Sequence, residues 1–431
     1  MKNLGLFIAL MFSSNIIIFS QPQNLSRSDS ISNYKSSDES LTENESSLIN
    51  FNIFERIGIS PTLTYKGELW SVNKGLVKKY HYLDNFDLLL DVDFSKSLKI
   101  DGANLKVHIL GNHGSDPSKC AGIRQGLSNI AAPNAWKLFQ LYYEQKVFSD
   151  KLSLLIGLFD VNAHYDVKEV QSIFLNPSHG IGADFAQSGK NGPSIFPTSS
   201  FGIKLNLNFL PDNYLSISVL DGVPGDPDNP YKTVIRFDKE DGYLVCAELG
   251  YNSGKQEQTN DIPKLMNINN NYSKLGIGTW YYTPRLTLLE NFTNWGYYLF
   301  LEQKIFSETD SEQGIYISGR FGIADDEVNQ FDSFINGSIS YKGLFPTRDN
   351  DKLGFAFAWG HNSNLFRRNQ NLEGYEVEKF EKAFELTYQL NFDNIIFQPG
   401  IQYIVSPSNP EGYIYDNVFA FYTRIILNLS F

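Results

Sequence analysis

Hydrophobic and polar residues alternate along most of this chain, and a period of two predicts β-strands with one apolar and one wet face. The pattern is clearest around the stretch Lys151–Leu210. Leu152, Leu154, Ile156 and Leu158 mark one strand, and Phe201, Ile203, Leu205, Leu207 and Phe209 mark the next. Between them lie about forty residues rich in Gly, Pro, Asn and Ser, which neither a strand nor a long helix tolerates. Two neighbouring strands therefore carry a long polar insertion.

The same alternation predicts strands at Ile59–Trp70, Tyr80–Phe94, Ala103–Gly111 and Trp136–Gln145. In the fourth, Phe139, Leu141 and Tyr143 are expected on the outer face, with Gln140, Tyr142 and Glu144 inside. Strand seven carries Leu215, Ile217 and Val219, and strand eight puts Cys246 and Glu248 inward. Eight more are expected near Tyr272–Thr283, Trp295–Phe306, Gly314–Ala324, Gln330–Lys342, Lys352–Gly360, Ala383–Phe392, Ile395–Val405 and Val418–Phe431. The total is about sixteen, and an even number suits an outer-membrane barrel.

Connection lengths support a barrel. Short links such as Phe148–Asp150, Leu210–Asn213 and Asp393–Asn394 alternate with long ones such as Asn112–Ala135, Asp160–Ser200 and His361–Lys382. A β-sandwich has no reason to sort its loops this way. Tyr251–Asn271 breaks the rule, being long where a short turn is due. The expected fold is all-β: a transmembrane antiparallel barrel with long extracellular loops, two of them folded into the lumen.

Composition adds to this picture. With 24 Tyr and 33 Phe the chain is well supplied for aromatic belts, the expected setting of Trp70, Trp136, Trp280, Trp295 and Trp359. A net charge of -12 argues against nucleic acid as a partner. Cys120 and Cys246 are far apart and are not expected to pair. Residues 1–20 read as a secretory signal, with Lys2 ahead of an apolar stretch, and residues 21–50 as a Ser/Asn-rich disordered lead-in. The barrel domain is then 51–431, opening on a short helical turn within Ile49–Ile57. No later segment is long and apolar enough for a transmembrane helix. The chain ends in Phe431 after alternating apolar residues, like the signal read by the outer-membrane barrel-assembly machinery.

A wide barrel selects only if it is constricted. Asn112–Ala135 and Asp160–Ser200 are the two insertions expected to fold inward. A sugar calls for Asp, Glu, Asn and Arg around its hydroxyls and aromatic faces against its C–H surfaces. The candidate solute-binding set is Glu68, Trp70, Arg124, Gln125, Asn129, Glu144, Asp160, Asn162, Asp166, Phe174 and Asn176, with Lys66 and Arg424 nearby. Arg124, Glu144 and Asp160 could equally pin the insertions through ion pairs. Asp160 with Asp166 or Glu169 does not make a catalytic pair, and His108, His113 and His164 lack metal-ligand spacing. Gly180–Gly192 is no phosphate loop, and no cofactor is expected.

The chain resembles the OprB-type carbohydrate-selective porins. The resemblance lies in GIRQGLSNIAAPNAWKLFQLYYEQ (Gly122–Gln145), GLFDVNAHYD (Gly157–Asp166), FLNPSHG (Phe174–Gly180), FPTSSFGIKL (Phe196–Leu205), YLSISVLDGVPGDPDNP (Tyr214–Pro230) and FQPGIQYIVSPSNP (Phe397–Pro410). Lys137, Gln140 and Tyr142 stand where Arg, Glu and Trp are expected in that family. The resemblance implies a sixteen-stranded outer-membrane channel for passive diffusion of small sugars, set among membrane lipid and lipopolysaccharide. The alternatives are a general or cation-preferring pore, suggested by the negative charge, and an outer-membrane enzyme or adhesin, for which no Ser–His pair is in view.

Overall fold

The fold is seen in a computed structural model, which describes residues 54, 56–74, 77–253, 272–284, 293–308, 312–408 and 417–430. The expected signal, the lead-in, most of the Ile49–Ile57 turn, much of the Tyr251–Asn271 link and Phe431 lie outside these residues.

Sixteen strands follow one another. They are β1 (Ile59–Lys74), β2 (Val77–Asp93), β3 (Ala103–Gly114), β4 (Ala135–Val147), β5 (Leu152–Phe159), β6 (Ser200–Leu210), β7 (Asn213–Asp221) and β8 (Tyr243–Asn252). The second half comprises β9 (Ser273–Tyr282), β10 (Asn294–Ser307), β11 (Gly314–Ala324), β12 (Phe331–Lys342), β13 (Lys352–Asn362), β14 (Phe380–Phe392), β15 (Ile395–Val405) and β16 (Val418–Ser430). Each pairs antiparallel with its sequence neighbour, and β1 pairs with β16, closing the barrel. Closure leaves no edge strand, and each strand is paired on both sides.

The two faces follow the alternation. Leu69, Ile203, Leu205, Ile277, Leu299 and Phe421 are exposed on the outside, while Glu68, Glu248, Glu302, Arg320 and Glu385 are buried inside. Phe139 departs from the expected outward position. His108 pairs with Gln140 and the adjacent Ile109 with Leu138, so Phe139 is the extra residue of a bulge. The bulge shifts the alternation and buries Phe139 beside His108, ring centroids 5.3 Å apart. The tryptophans also divide: Trp136, Trp295 and Trp359 are exposed, but Trp70 and Trp280 are buried, not belt residues.

Tight turns join alternate strands at one rim. Phe148, Ser149 and Asp150 all have positive φ, as do Asp212 and Asp393 in two other short turns. The β8–β9 link keeps its unexpected length on this rim, and the strand count stands. Helical segments are few: α1 (Phe94–Ser97), α2 (Pro117–Ala121), α3 (Ala183–Ala186) and α4 (Asn364–Leu372), with short 3-10 turns at Val161–Ala163, Val170–Ile173 and Pro177–His179. Cys120 and Cys246 are both free thiols.

Candidate functional site

The first insertion is shorter than expected by a few residues, because β3 runs on to Gly114, while the second has nearly the expected bounds, between Phe159 and Ser200. The first begins with α2, whose N-cap Asp116 accepts from Ser118 N–H at 2.8 Å and whose Gly122 ends the helix at φ +71. Its Ala121, Ile123, Leu127 and Ile130 pack on the inner faces of Trp70, Val72, Phe334 and Tyr422. The second insertion buries Val161, Tyr165, Ile181 and Phe185 against Phe159, Trp280, Tyr298 and Phe300. Phe185 stacks on Trp280 with centroids 5.1 Å apart and planes 5° from parallel. Glycines at 276 and 278 make room on β9, since a Cβ there would overlap the rings of Phe300 and Tyr298.

Apolar packing leaves the insertions' backbone N–H groups to be satisfied, and inward carboxylates on the wall do this. Glu381 on β14 accepts from Arg124 N–H at 3.0 Å and Gln125 N–H at 2.8 Å. On the same strand Glu385 accepts from Leu175 N–H at 2.8 Å and Asn176 N–H at 3.0 Å. Glu302 on β10 takes Glu169 and Val170 N–H at 2.9 and 2.8 Å. Glu248 on β8 takes Asp166 N–H at 2.8 Å. In three of these four cases one carboxylate holds two consecutive amides.

Charge completes the hold. Arg320 on β11 places Nε 2.7 Å from Asp166 and Nη1 2.6 Å from Asp184, all three fully buried. Asp166 also pairs with buried Lys168. The Arg320 and Lys168 charges and the Gly182 N–H keep the Asp166 carboxyl below the usual range despite its burial. Gln398 donates to Ile173 carbonyl at 2.6 Å, and Asn336 to Ser178 carbonyl at 2.8 Å. The second insertion is thus bonded along the wall from β8 to β15. It also meets the first insertion, where Gln187 donates to Arg124 carbonyl at 2.6 Å.

The opposite wall keeps its own polar chain. Lys66 Nζ lies 2.7 Å from Asp87, and His108 Nε2 lies 2.9 Å from the other Asp87 oxygen. Gln140 Nε2 lies 3.1 Å from His108 Nδ1, and Asp160 N–H donates to Gln140 Oε1 at 3.2 Å. A backbone N–H can only donate, so Gln140 presents its NH2 to Nδ1, and the His108 proton sits on Nε2 toward Asp87. Beside this chain, Lys106, Asp91 and Glu144 are half-buried and face inward.

The candidate residues divide by what they touch. Glu68 is buried against Arg424, with Trp70 Nε1 donating to its other oxygen at 2.6 Å. Asn129 accepts from Arg424 and donates to Phe174 carbonyl at 3.4 Å. Gln125 donates to Glu381 carbonyl at 3.0 Å. Asp160 and Asn176 cap the turns that follow them, accepting from Asn162 N–H at 2.8 Å and Ser178 N–H at 3.0 Å. Asn162 reaches the Tyr165 and Gly180 carbonyls at 3.3 and 3.2 Å. Phe174 lies 5.0 Å from the His179 ring. Arg124 is exposed, its guanidinium 6.0 Å from the Phe366 ring on α4. Arg124, Glu144 and Asp160 form no ion pair among the described residues, so the pinning by ion pairs considered for them falls to others. Sequence reasoning missed Glu302, Glu381, Glu385 and Arg320. Their signal was an acid or base at an inward position of an otherwise apolar-alternating strand.

Comparison with known proteins agrees with this architecture. Residues 78–424 match the family described as carbohydrate-selective porin, OprB family. Porin B of Pseudomonas aeruginosa is 21% identical over 367 residues, covering 78% of this chain and 79% of that one. The high-pH structure of Pseudomonas putida OprB superposes with a TM-score of 0.73 at 18% identity, over 88% of this chain and 96% of that one. The low-pH structure of the same protein gives 0.55 at 15% identity, over 89% and 98%. The family match spans most of the chain and the barrel closes on sixteen strands: the protein belongs to the OprB family of carbohydrate-selective porins, channels of the outer membrane.

Proposed function

We propose that sugars cross through the passage left between the two insertions and the inner wall of β1–β5. The exposed Arg124 guanidinium and the half-buried Glu144 carboxylate meet the solute's hydroxyls there. Glu68, Trp70, Gln125, Asn129, Asp160, Asn162, Asp166, Phe174 and Asn176 then shape the passage from behind. The observation that supports this reading is the row of wall carboxylates gripping consecutive insertion amides, since insertions held against the inner wall would narrow an otherwise wide barrel. Facing charges across such a gap also orient polar solutes. The rim with long connections faces the exterior, and the outer apolar belt meets lipid and lipopolysaccharide. Residues 1–20 direct export, and Phe431 engages the barrel-assembly machinery. Planar-bilayer recording of the purified protein tests the reading. Stepwise conductance that neutral sugars reduce supports it, and conductance indifferent to every sugar tried removes sugar selectivity.

A further inference from the structure

We infer that a cavity at the long-connection rim, beside Lys137, is a second site that takes an acidic sugar, one bearing a carboxylate. The cavity holds about 350 Å³ and lies between the start of β4, the second insertion and the β7–β8 connection. Its size is in the range of small-ligand pockets. The half-buried ring of Phe196 gives it a flat apolar side, and Asn191 and Asn229 give it amides. Such a lining suits a pyranose, with its hydroxyl edge and C–H face.

Charge sets the class of sugar. Lys137 is 7% exposed, and its ammonium donates to Thr198 Oγ1 at 2.8 Å and to Pro230 carbonyl at 3.0 Å. Both acceptors are neutral, and among the described residues no carboxylate lies within ion-pair distance of it. One of its three N–H donors is left over. Exposed Lys232 adds a second cation to the lining, and the one acid there, Asp226, has Arg236 at 4.0 Å. A poorly compensated buried ammonium gains most from an anion, and a neutral hexose would leave it as it is. The chain's net charge of -12 makes a local cationic site the more necessary for an anionic solute.

The inference rests on the reading that sugars traverse this pore, and its test separates the two. Glucose and glucuronate are titrated calorimetrically into the detergent-solubilised full-length barrel, and glucose block of the bilayer current is recorded in parallel. Wild type is expected to bind glucuronate on the order of tenfold more tightly than glucose at low salt, with the preference shrinking as salt rises. Lys137→Met should abolish the preference, and Lys232→Gln should reduce it, each leaving the glucose block unchanged. Should Lys137→Met fail to assemble, Lys232→Gln decides alone. Equal binding of the two sugars by wild type, or an unaltered preference in the variants, overturns the acidic-sugar site. Loss of glucose block in wild type overturns the sugar-pore reading itself.

Discussion

Glu68 on β1 and Arg424 on β16 stand directly opposite each other across the seam that closes the barrel, with Arg424 Nε 2.7 Å from Glu68 Oε1. Both are buried, so the pair joins the two ends of the folded chain inside the lumen. Glu68→Ala would strand the guanidinium, with Asn129 the one remaining acceptor among the described residues. The expected cost is about 3 kcal/mol of barrel stability, read as a lower denaturant midpoint for loss of the compact, heat-modifiable band on gels. The double variant Glu68→Met with Arg424→Met should recover most of that loss. A single variant as stable as wild type would show that the seam does not need the pair.

Glu385 governs how firmly the second insertion is held. Glu385→Ala removes the acceptor for the Leu175 and Asn176 N–H groups and for the Tyr422 hydroxyl, which donates at 2.6 Å. Bonds to a charged acceptor contribute about 1.5–3 kcal/mol each, so their joint loss should free the segment from the wall. The measurable outcome is a larger single-channel conductance and weaker discrimination between mono- and trisaccharides in liposome swelling. Unchanged values for both would mean that apolar packing alone holds the insertion.

His179, in the second insertion, is fully buried, and burial pushes its imidazole down to about 3. Neither ring nitrogen has a hydrogen-bond partner among the described residues. In the unfolded chain an imidazole titrates near its ordinary value of about 6.5, so below that pH the unfolded state binds the extra proton. This residue's contribution to stability is therefore whole above pH ~6.5 and falls by up to about 1.4 kcal/mol per unit as pH drops toward 3. His179→Phe should flatten that decline, seen as slower amide exchange of residues 170–180 at pH 5 than in wild type. Equal acid sensitivity of the two proteins would exclude His179 as its source.

Arg124 offers the sharpest test of the passage. Its backbone N–H, not its side chain, binds Glu381, so Arg124→Ala should leave the insertion in place. Sugar block of the current is expected to weaken several-fold while barrel stability stays within about 0.5 kcal/mol of wild type. Block identical to wild type would remove Arg124 from the solute's path.

Much of the architecture was open to reading before any coordinates. Strand number, facing and the sorting of long and short connections all appear in the alternation from Ile59 to Ser430. Phe139 sits where the alternation slips phase, from Trp136 and Leu138 outward to Leu141 and Tyr143 outward, and an unbroken period of two across that bulge turns it to the wrong face. Residue type alone places Trp70 and Trp280 in the belt, yet both occupy inward positions of their strands and are buried. The site was less legible. Asp166 and Asn176 stood out as polar groups suited to a sugar, yet each is buried and bonded to the wall or to its own turn.

The sequence by itself determined a ring of amphipathic strands, since lipid outside and water within impose a rule that each residue obeys according to its own parity. What only the tertiary structure decided is which inward side chains remain open to a passing solute. Glu381 and Gln125 are 256 positions apart, and Glu68 and Arg424 are 356 apart. Their pairing depends on barrel closure and on the path of the insertions through the lumen, and no local pattern records either.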